Sequence, residues 1–351
     1  MNNKEIFNEL LKIKTPINIE KFLKLSLYSK NGYYKKANVI GRRGDFITAP
    51  EISQLFGDII GLFIINYWKE NINKSFNLIE LGPGLGTLLI DILRVTHTFR
   101  IFQKNINLEL IESNINLIIE QRKNLFSNGV DINKILWSEN FNPRNKKPVI
   151  IIANEFLDCL PIRQFYLKKN MWHEKMIELN KNSKIIKLKD IEVKNLETLN
   201  KIKKYDPIDI LEISKTREEY FFKICKHINN VGGMMIIIDY GYFKKPENFT
   251  LQSIYNNKKS NILDNIGNQD ISSLVDFKIL ISLARKSQLK INSFSSQRNF
   301  FLDHGINERA KKNLSKSNEK DKYMIKSGLD RIINNKHMGS LFKVLVLSKL
   351  K

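Results

Sequence analysis

The sequence predicts an α/β fold built on a doubly wound, Rossmann-like sheet. Three observations carry this prediction: strand-length apolar runs alternate with segments of helical spacing, a glycine loop follows the first run, and an acid ends the second. Alternating strands and helices favour a parallel sheet, whose ligands bind at the carboxyl ends of the strands. With 351 residues, the chain can hold one such domain with insertions, or two domains.

Residues 1–70 are predicted to form an N-terminal helical segment that closes the ligand site. Apolar residues recur at helical spacing on both sides of Thr15-Pro16, which interrupts the pattern. Pro50 then stands where a helix can begin, and the apolar spacing continues as far as Phe63.

The core is predicted at residues 71–163 and 205–351, around an inserted region at residues 164–204. We expect core strands at residues 76–81, 106–112, 148–153 and 233–239, with helices at 87–93 and 117–125. The last two strands are almost uninterrupted apolar runs, which is typical of strands covered on both faces. In the inserted region, a hairpin is expected up to residue 188 and a polar connector at 189–204.

A glycine loop between the first strand and the first helix predicts a nucleotide-like ligand. Gly82, Gly84 and Gly86 allow a sharp turn and a close approach of the backbone to a ligand. Glu80 before the loop would repel a pyrophosphate, whereas it suits the ammonium and sulfonium of S-adenosylmethionine. Glu112, at the end of the second strand, is placed to accept hydrogen bonds from ribose hydroxyls.

Composition narrows the class of protein further. The formal charge is +22, but the excess lysines are spread along the chain beside Asn and Ile. Arg-rich blocks with interleaved aromatics, which would suit phosphate contact and base stacking, are missing from the sequence. Nucleic acid is therefore not the expected partner. No apolar run reaches membrane-span length, and the N-terminal residues lack the pattern of a signal or transit peptide. Two cysteines and five histidines without ligand spacing predict neither disulfides nor a metal site. A bacterial cytoplasm is the expected compartment.

These motifs together make the chain similar to a known family. It resembles the MidA-like methyltransferases, the family of the mitochondrial complex I assembly factor that methylates arginine on a complex I subunit. The strongest matching segments are Gly32-Tyr33-Tyr34, residues 44–57, residues 80–86, Ile111-Glu112-Ser113, residues 154–158, Pro161 and Asp239-Tyr240-Gly241. Weaker matches follow at Asp270, residues 275–277, Gln297, Phe301-Leu302 and residues 341–345.

The resemblance implies a methyltransferase fold, S-adenosylmethionine as cofactor and a protein-arginine substrate. By position, Gly82, Gly84 and Gly86 would contact the methionine part of the cofactor, and Glu112 its ribose. Residues 44–48 and Glu51 would form part of the wall that closes the site.

This chain departs from the family at two places. A His-Arg pair usual in the family is replaced within residues 256–260, and Leu274 stands where a histidine is usual. If those positions contact the substrate, the choice of target differs from that of the family.

The segment after the third apolar strand supplies the candidates for catalysis. An arginine substrate stays protonated near neutral pH, and carboxylates accept its forked N–H donors. Glu155 is the first candidate for binding the guanidinium and Asp158 the second, with Asp45 of the closing loop as a third. Asn154 is expected on the cofactor side. Asp158 could instead cap a helix before Pro161, and Glu155 could be a structural salt-bridge partner.

Three functions stay open at this point. The first is methylation of arginine on a protein such as a respiratory complex I subunit. The second is methylation of a small molecule or RNA, and the third is an assembly factor for complex I that binds the cofactor without turnover. The expected partners are a protein substrate and a second copy of the chain in a homodimer.

Overall fold

Seven strands of the computed structural model form the central sheet, and we number them in chain order. They are β1 (Phe76–Leu81), β2 (Ile106–Ile111), β3 (Ile135–Ser138), β4 (Val149–Asn154), β5 (Gly233–Tyr242), β6 (Lys290–Ser296) and β7 (Phe342–Lys349). The structure describes residues 4–36, 41, 47–142, 146–205 and 209–350.

The spatial order of the strands is β3-β2-β1-β4-β5-β7-β6. Strands β1 to β5 are all parallel to one another, whereas β7 is antiparallel to β5 and to β6. A short eighth strand, Val275–Asp276, pairs with the end of β5. The chain order reverses between β1 and β4, which opens a ligand crevice at their carboxyl ends. The predicted doubly wound α/β fold is confirmed.

Burial on both faces explains why the central strands are apolar runs. In β4, Ile150 and Ile152 join the core cluster on one face, while Val149, Ile151 and Ala153 join the cluster on the other. Alternate side chains of a strand point to opposite faces, so only a strand covered on both sides requires apolar residues throughout.

Helices cover both faces of the sheet. One face packs against Gln54–Asn71, Thr87–Thr96 and the helices near the carboxyl terminus, and the other against Lys215–Val231 and Phe277–Lys286. The α-helices are Lys4–Lys12, Ile19–Leu23, Ala49–Ile52, Gln54–Asn71, Thr87–Thr96, Arg100–Asn105, Ile115–Ser127, Leu196–Ile202, Lys215–Val231, Phe277–Lys286, Gln297–Asp303, Ile306–Leu314, Glu319–Ile333 and Met338–Leu341. Within the described ranges, no helix combines the length and hydropathy needed to cross a membrane.

The strands of the inserted region, together with two strands from outside it, form a second, five-stranded sheet. Its strands are Ile17–Asn18, Arg163–Lys168, Met171–Asn180, Ile185–Glu192 and Ile210–Ile213. The polar connector expected at residues 189–204 is wrong, because it contains the end of one strand and the helix Leu196–Ile202. That strand is polar because its lysines form ion pairs with Glu178 of the neighbouring strand instead of facing a core.

The N-terminal segment is attached to this second sheet. Ile17–Asn18 pairs with Met171–Asn180, and Ile6, Leu10 and Phe22 share a buried cluster with Ile177. The segment is therefore mainly helical but also contributes a short strand. A third sheet, made of Gln252–Tyr255, Lys258–Ser260 and Asp270–Ser272, lies between β5 and the helix Phe277–Lys286 in the chain.

Candidate active site

The loop after β1 has the backbone geometry that the glycine spacing predicts. Gly82, Gly84 and Gly86 have φ values of 60°, 56° and 78°, in the left-handed region that favours glycine. A Cβ atom on Gly82 would lie 2.9 Å from Cδ2 of Phe156. The backbone therefore turns tightly beneath Phe156, and Gly82 and Gly84 line a large cavity at the carboxyl ends of β1 and β4.

Glu112 follows β2 directly and lines the same cavity. Its Oε1 accepts a hydrogen bond from the backbone N–H of Asn114 at 2.7 Å, and its Oε2 accepts one from Nε2 of Gln121 at 3.4 Å. Burial raises the pKa of Glu112 above its ordinary value. Gln121 also donates to the carbonyl of Gly84 at 2.9 Å, so a single amide joins the acid to the glycine loop.

Two buried polar atoms near the glycine loop lack a hydrogen-bond partner among the described residues. They are Oε2 of Glu80 and Oδ1 of Asn154, and both residues line the cavity. Burial raises the pKa of Glu80 to about 8, because no described charge compensates the carboxylate. Orphaned buried acceptors are costly, so this end of the cavity fits a ligand that brings donors and positive charge.

The N-terminal segment forms a wall of the cavity. Oε1 of Glu51 accepts a hydrogen bond from Oγ1 of Thr87, the first residue of the helix after the glycine loop, at 3.0 Å. Nζ of Lys35 donates to the carbonyl of Ser113 at 2.7 Å, which attaches the segment to the end of β2. Thr48 and Glu51 line the cavity as the resemblance implies. Asp45, the third candidate for catalysis, lies outside the described residues.

Glu155 lies at the carboxyl end of β4 in an unusual backbone conformation. Its φ of 50° falls in the left-handed region, which is rare for a residue with a side chain and is typical of functional sites. Its Oε1 accepts hydrogen bonds from the backbone N–H of Ala49 at 3.2 Å and from Nδ2 of Asn154 at 3.4 Å. Burial, and then the charge of Asp158, raises the pKa of Glu155 to about 8.

Asp158 lies in a turn and not at the start of a helix. Residues 157–160 form bends and turns, and Pro161 leads into the strand Arg163–Lys168, so the helix-capping alternative is wrong. Burial, followed by the charges of Asp239 and Asp270, raises the pKa of Asp158 well above its ordinary range. Asp239, in the second half of β5, accepts the backbone N–H of Leu157 at 2.8 Å and thereby supports this turn.

No described cation forms a salt bridge with Glu155, Asp158 or Asp239. The salt-bridge alternative for Glu155 is therefore absent from the described part of the chain. Arg217 lies close enough to lower the pKa of Asp158, yet its donors go to Oγ of Ser273 and to backbone carbonyls, those of Leu157, Asp158 and Leu274, and not to a carboxylate. Within the described part of the chain, the three buried acids are thus placed together without a direct ion-pair partner.

The charge of the cavity opposes that of the chain. Its volume is about 1130 Å³, and the described residues lining it include eight acids but only one basic residue, Lys259. The acids are Glu51, Glu80, Glu112, Glu139, Glu155, Asp158, Glu247 and Asp270. With a formal net charge of +22 on the whole chain, a cavity of this kind favours cationic ligands.

Some residues in and around the cavity were not among the predicted site residues. Tyr28, Tyr34 and Tyr240 contribute aromatic rings, and Gln121 connects Glu112 to the glycine loop. Arg217, which connects the Asp158 turn to Ser273, lies in the first turn of the helix Lys215–Val231. A single arginine or glutamine on a helix face carries no pattern that would identify it in the sequence.

The strand order, the glycine loop after β1 and the acid after β2 define a class I S-adenosylmethionine-dependent methyltransferase. Residues 59–295 match the model of a protein family described as "Putative S-adenosyl-L-methionine-dependent methyltransferase". The chain belongs to this family, as the resemblance in the sequence indicated, and its cofactor is S-adenosylmethionine.

Curated relatives of this chain are arginine methyltransferases. The chain is 30% identical to the mitochondrial protein arginine methyltransferase NDUFAF7 homolog of Caenorhabditis elegans, over 88% of this chain and 78% of the relative. It is 29% identical to the mitochondrial protein arginine methyltransferase NDUFAF7 of Homo sapiens, over 96% of this chain and 82% of the relative.

A solved structure shares the fold over nearly the whole chain. It is a protein from Burkholderia thailandensis crystallised with S-adenosyl-homocysteine, which superposes with a TM-score of 0.85 at 20% sequence identity. The superposition covers 99% of this chain and 92% of that protein.

Proposed function

We propose that this enzyme methylates an arginine side chain of a protein, and that Glu155 and Asp158 hold the guanidinium. The observation that carries the proposal is a group of buried carboxylates at the end of β4, beside the glycine loop, that have no salt-bridge partner among the described residues. Two relatives named as protein arginine methyltransferases support the same substrate class.

The residues around Glu80 and Glu112 fit S-adenosylmethionine. The glycine loop and the acceptors of Glu80 and Asn154 would hold its amino-acid part, and Glu112 would hold its ribose. When bound, the cofactor supplies an electrophilic methyl group on a sulfonium. Such a transfer needs no metal, so alignment of the acceptor and exclusion of water can supply most of the acceleration.

Glu155 is suited both to orient the guanidinium and to take its proton. An arginine side chain stays protonated near neutral pH, so its attacking nitrogen has to lose a proton during the transfer. The pKa of Glu155, raised to about 8 by burial, makes this carboxylate a stronger proton acceptor than an exposed one. Because Oε1 is held by Ala49 and Asn154, we assign Oε2 as the atom that receives the proton.

A protein acceptor fits the cavity better than RNA does. The phosphates of RNA would meet eight acids and one lysine among the described lining residues, which is unfavourable. A subunit of respiratory complex I is the first acceptor that we propose to test, because the family resemblance implies it. Leu274, which replaces the usual histidine, lines the cavity, and a different choice of protein target is compatible with that change.

Transfer of a labelled methyl group tests the proposal. Purified enzyme is incubated with S-adenosyl-[methyl-³H]methionine and extract from cells that lack the gene, and the labelled protein is hydrolysed to amino acids. We expect the label in methylarginine, and no label with Glu155→Gln. Label in methyllysine, in a small molecule or in RNA would contradict the arginine proposal. Tight cofactor binding without any labelled product would favour an assembly factor without turnover.

A further inference from the structure

Asp270 brings another carboxylate to the acidic end of the cavity, and it comes from outside the core sheet. It is the first residue of the strand Asp270–Ser272, which pairs with Gln252–Tyr255 in the three-stranded sheet. Asp270 lines the cavity together with Glu155 and Asp158. Its charge contributes to raising the pKa of both residues, which places the three carboxylates within electrostatic range of one another.

Tyr34 fixes the side chain of Asp270. The phenolic hydroxyl of Tyr34 donates a hydrogen bond to Oδ1 of Asp270. The ring of Tyr34 packs against Tyr28, with centroids 5.4 Å apart, and the hydroxyl of Tyr28 donates to the carbonyl of Cys159 at 2.8 Å. Both tyrosines line the cavity, so the N-terminal segment supports Asp270 and the turn that carries Asp158.

A second set of contacts ties the two aspartates together through the backbone. The N–H of Ser273 donates to the carbonyl of Asp158 at 2.9 Å. Buried Arg217 donates to Oγ of Ser273 at 2.9 Å and to the carbonyl of Leu157 at 2.8 Å. The turn after β4 and the segment that follows Asp270 are therefore held as one unit, although they are more than 100 residues apart in the chain.

We propose that Asp270, held by Tyr34, is a further substrate-binding residue that selects arginine over lysine by sharing the substrate cation with Asp158 and Glu155. This inference rests on the proposed arginine function and deepens it. A guanidinium has five N–H donors spread around a plane, so separate carboxylates can bind different edges and leave a nitrogen for attack. A lysine ammonium is a compact charge that must lose its proton before it can attack, and several carboxylates around it would keep it protonated.

Binding of small probes to the enzyme saturated with S-adenosyl-homocysteine tests the assignment. The probes are Nα-acetyl-arginine methylamide and its lysine and citrulline counterparts, titrated with ligand-observed NMR. We expect the arginine probe to bind more tightly than the lysine probe, and neutral citrulline to bind at least ten times more weakly. Asp270→Asn should lower the affinity for the arginine probe at least tenfold and reduce the preference for arginine over lysine. Its affinity for S-adenosyl-homocysteine should stay within twofold of that of the wild type.

Two further variants make the test decisive. Glu70→Gln removes the same charge from an exposed position of the helix Gln54–Asn71, outside the cavity lining, and it should change the affinity for the arginine probe less than twofold. Tyr34→Phe keeps the ring but removes the hydroxyl that holds Asp270. It should therefore lower the affinity for the arginine probe and leave the affinity for S-adenosyl-homocysteine unchanged. It also provides the test if Asp270→Asn does not fold.

The two proposals fail in different ways. If the arginine probe binds the wild type and Asp270→Asn or Tyr34→Phe binds it equally well, the role of Asp270 is overturned while the arginine function stands. If the wild type does not distinguish the arginine probe from citrulline, the proposed arginine function itself is contradicted, and the role of Asp270 with it.

Discussion

Glu155 is the residue on which the proposed chemistry most depends. We predict that Glu155→Gln lowers turnover on the protein acceptor by about 100-fold or more, because it removes the charge that orients the guanidinium and accepts its proton. Affinity for S-adenosylmethionine, measured by calorimetry, should stay near that of the wild type. If the variant loses both turnover and affinity for S-adenosylmethionine, Glu155 belongs to the cofactor site instead.

The pKa of Glu155 also predicts how activity depends on pH. Burial raises this pKa to about 8, and only the ionised carboxylate binds a cation and accepts a proton, so kcat/KM should rise with pH up to about 8 and then level off. Glu155→Gln should lose this inflection. A wild-type profile that is flat from pH 6 to pH 9 would contradict the assignment.

Glu112 provides a test of the cofactor site. Glu112→Ala removes charge-assisted hydrogen bonds worth about 1.5–3 kcal/mol each, so the Kd for S-adenosylmethionine should rise at least tenfold. A change smaller than twofold would mean that the ribose is bound elsewhere. Leu136→Ala, at an exposed position of β3, serves as a control that should leave the affinity unchanged.

At the residue scale, the site residues could be predicted mainly from their position at the carboxyl end of a strand. Glu80, Glu112, Asn154, Glu155 and Asp158 all line one cavity, because parallel strands bring their carboxyl ends to the same edge. Their roles in binding and catalysis stay predictions. Asp270 could be noticed only as a weak family match, since its place beside Asp158 depends on a small sheet that strand periodicity did not reveal.

At the scale of elements, the role of the loop after β1 in cofactor binding can be tested by adding a single methyl group at Gly82. Gly82→Ala places Cβ in a left-handed backbone, at a φ of 60°, and 2.9 Å from Cδ2 of Phe156. We predict that it displaces Phe156 and weakens cofactor binding at least tenfold, which calorimetry would measure.

Gly129 offers a matched control for that substitution. It also has a left-handed φ, at 75°, but nothing lies within 4 Å of its Cβ position. Gly129→Ala should therefore introduce the same backbone strain as Gly82→Ala, about 1 kcal/mol, without changing the affinity for the cofactor. Equal losses of affinity in both variants would show that strain, and not the contact with Phe156, is responsible.

Buried parallel strands were predicted far better than exposed or short ones. The strand at Phe76–Leu81 was predicted at its exact bounds, and those at Ile106–Ile111 and Val149–Asn154 to within one residue, because burial on both faces demands apolar runs. Ile135–Ser138 at the sheet edge and Ile210–Ile213 in the second sheet were missed. Strands of four residues with one exposed face are too short to show a period.

At the scale of the whole molecule, the buried acids predict how stability depends on pH. The pKa of Glu80 is raised to about 8 in the folded protein, so between its ordinary value and about 8 the folded state holds more protons than the unfolded one. This contribution to stability is complete at low pH and is lost as the pH rises towards 8. Glu80→Gln should be stabilised relative to the wild type by about 1 kcal/mol or more at pH 9, with the difference shrinking towards pH 5.

Denaturant unfolding of the cofactor-free protein at several pH values measures this difference. Glu247→Gln, at an exposed position, is the control and should differ from the wild type by a constant amount. If the difference for Glu80→Gln is also constant with pH, Glu80 is not the uncompensated buried acid that the structure indicates.

Some properties of the whole molecule stay predictions. They include the domain boundaries at residues 70, 163 and 204, the homodimer, the bacterial cytoplasm and a complex I subunit as target. The second sheet shows why boundaries are hard to infer from sequence, because it combines Ile17–Asn18 and Ile210–Ile213 with strands that lie between them in the chain. Pairing over such distances leaves no local pattern.

A crystal structure of the enzyme with S-adenosyl-homocysteine and an arginine-containing peptide tests the central claim most directly. We predict that the ribose lies on Glu112, that the amino-acid part lies against Gly82 and Gly84, and that the guanidinium contacts Glu155 at the acidic end of the cavity. A guanidinium bound outside this cavity, or a cofactor product bound away from the glycine loop, would contradict the account.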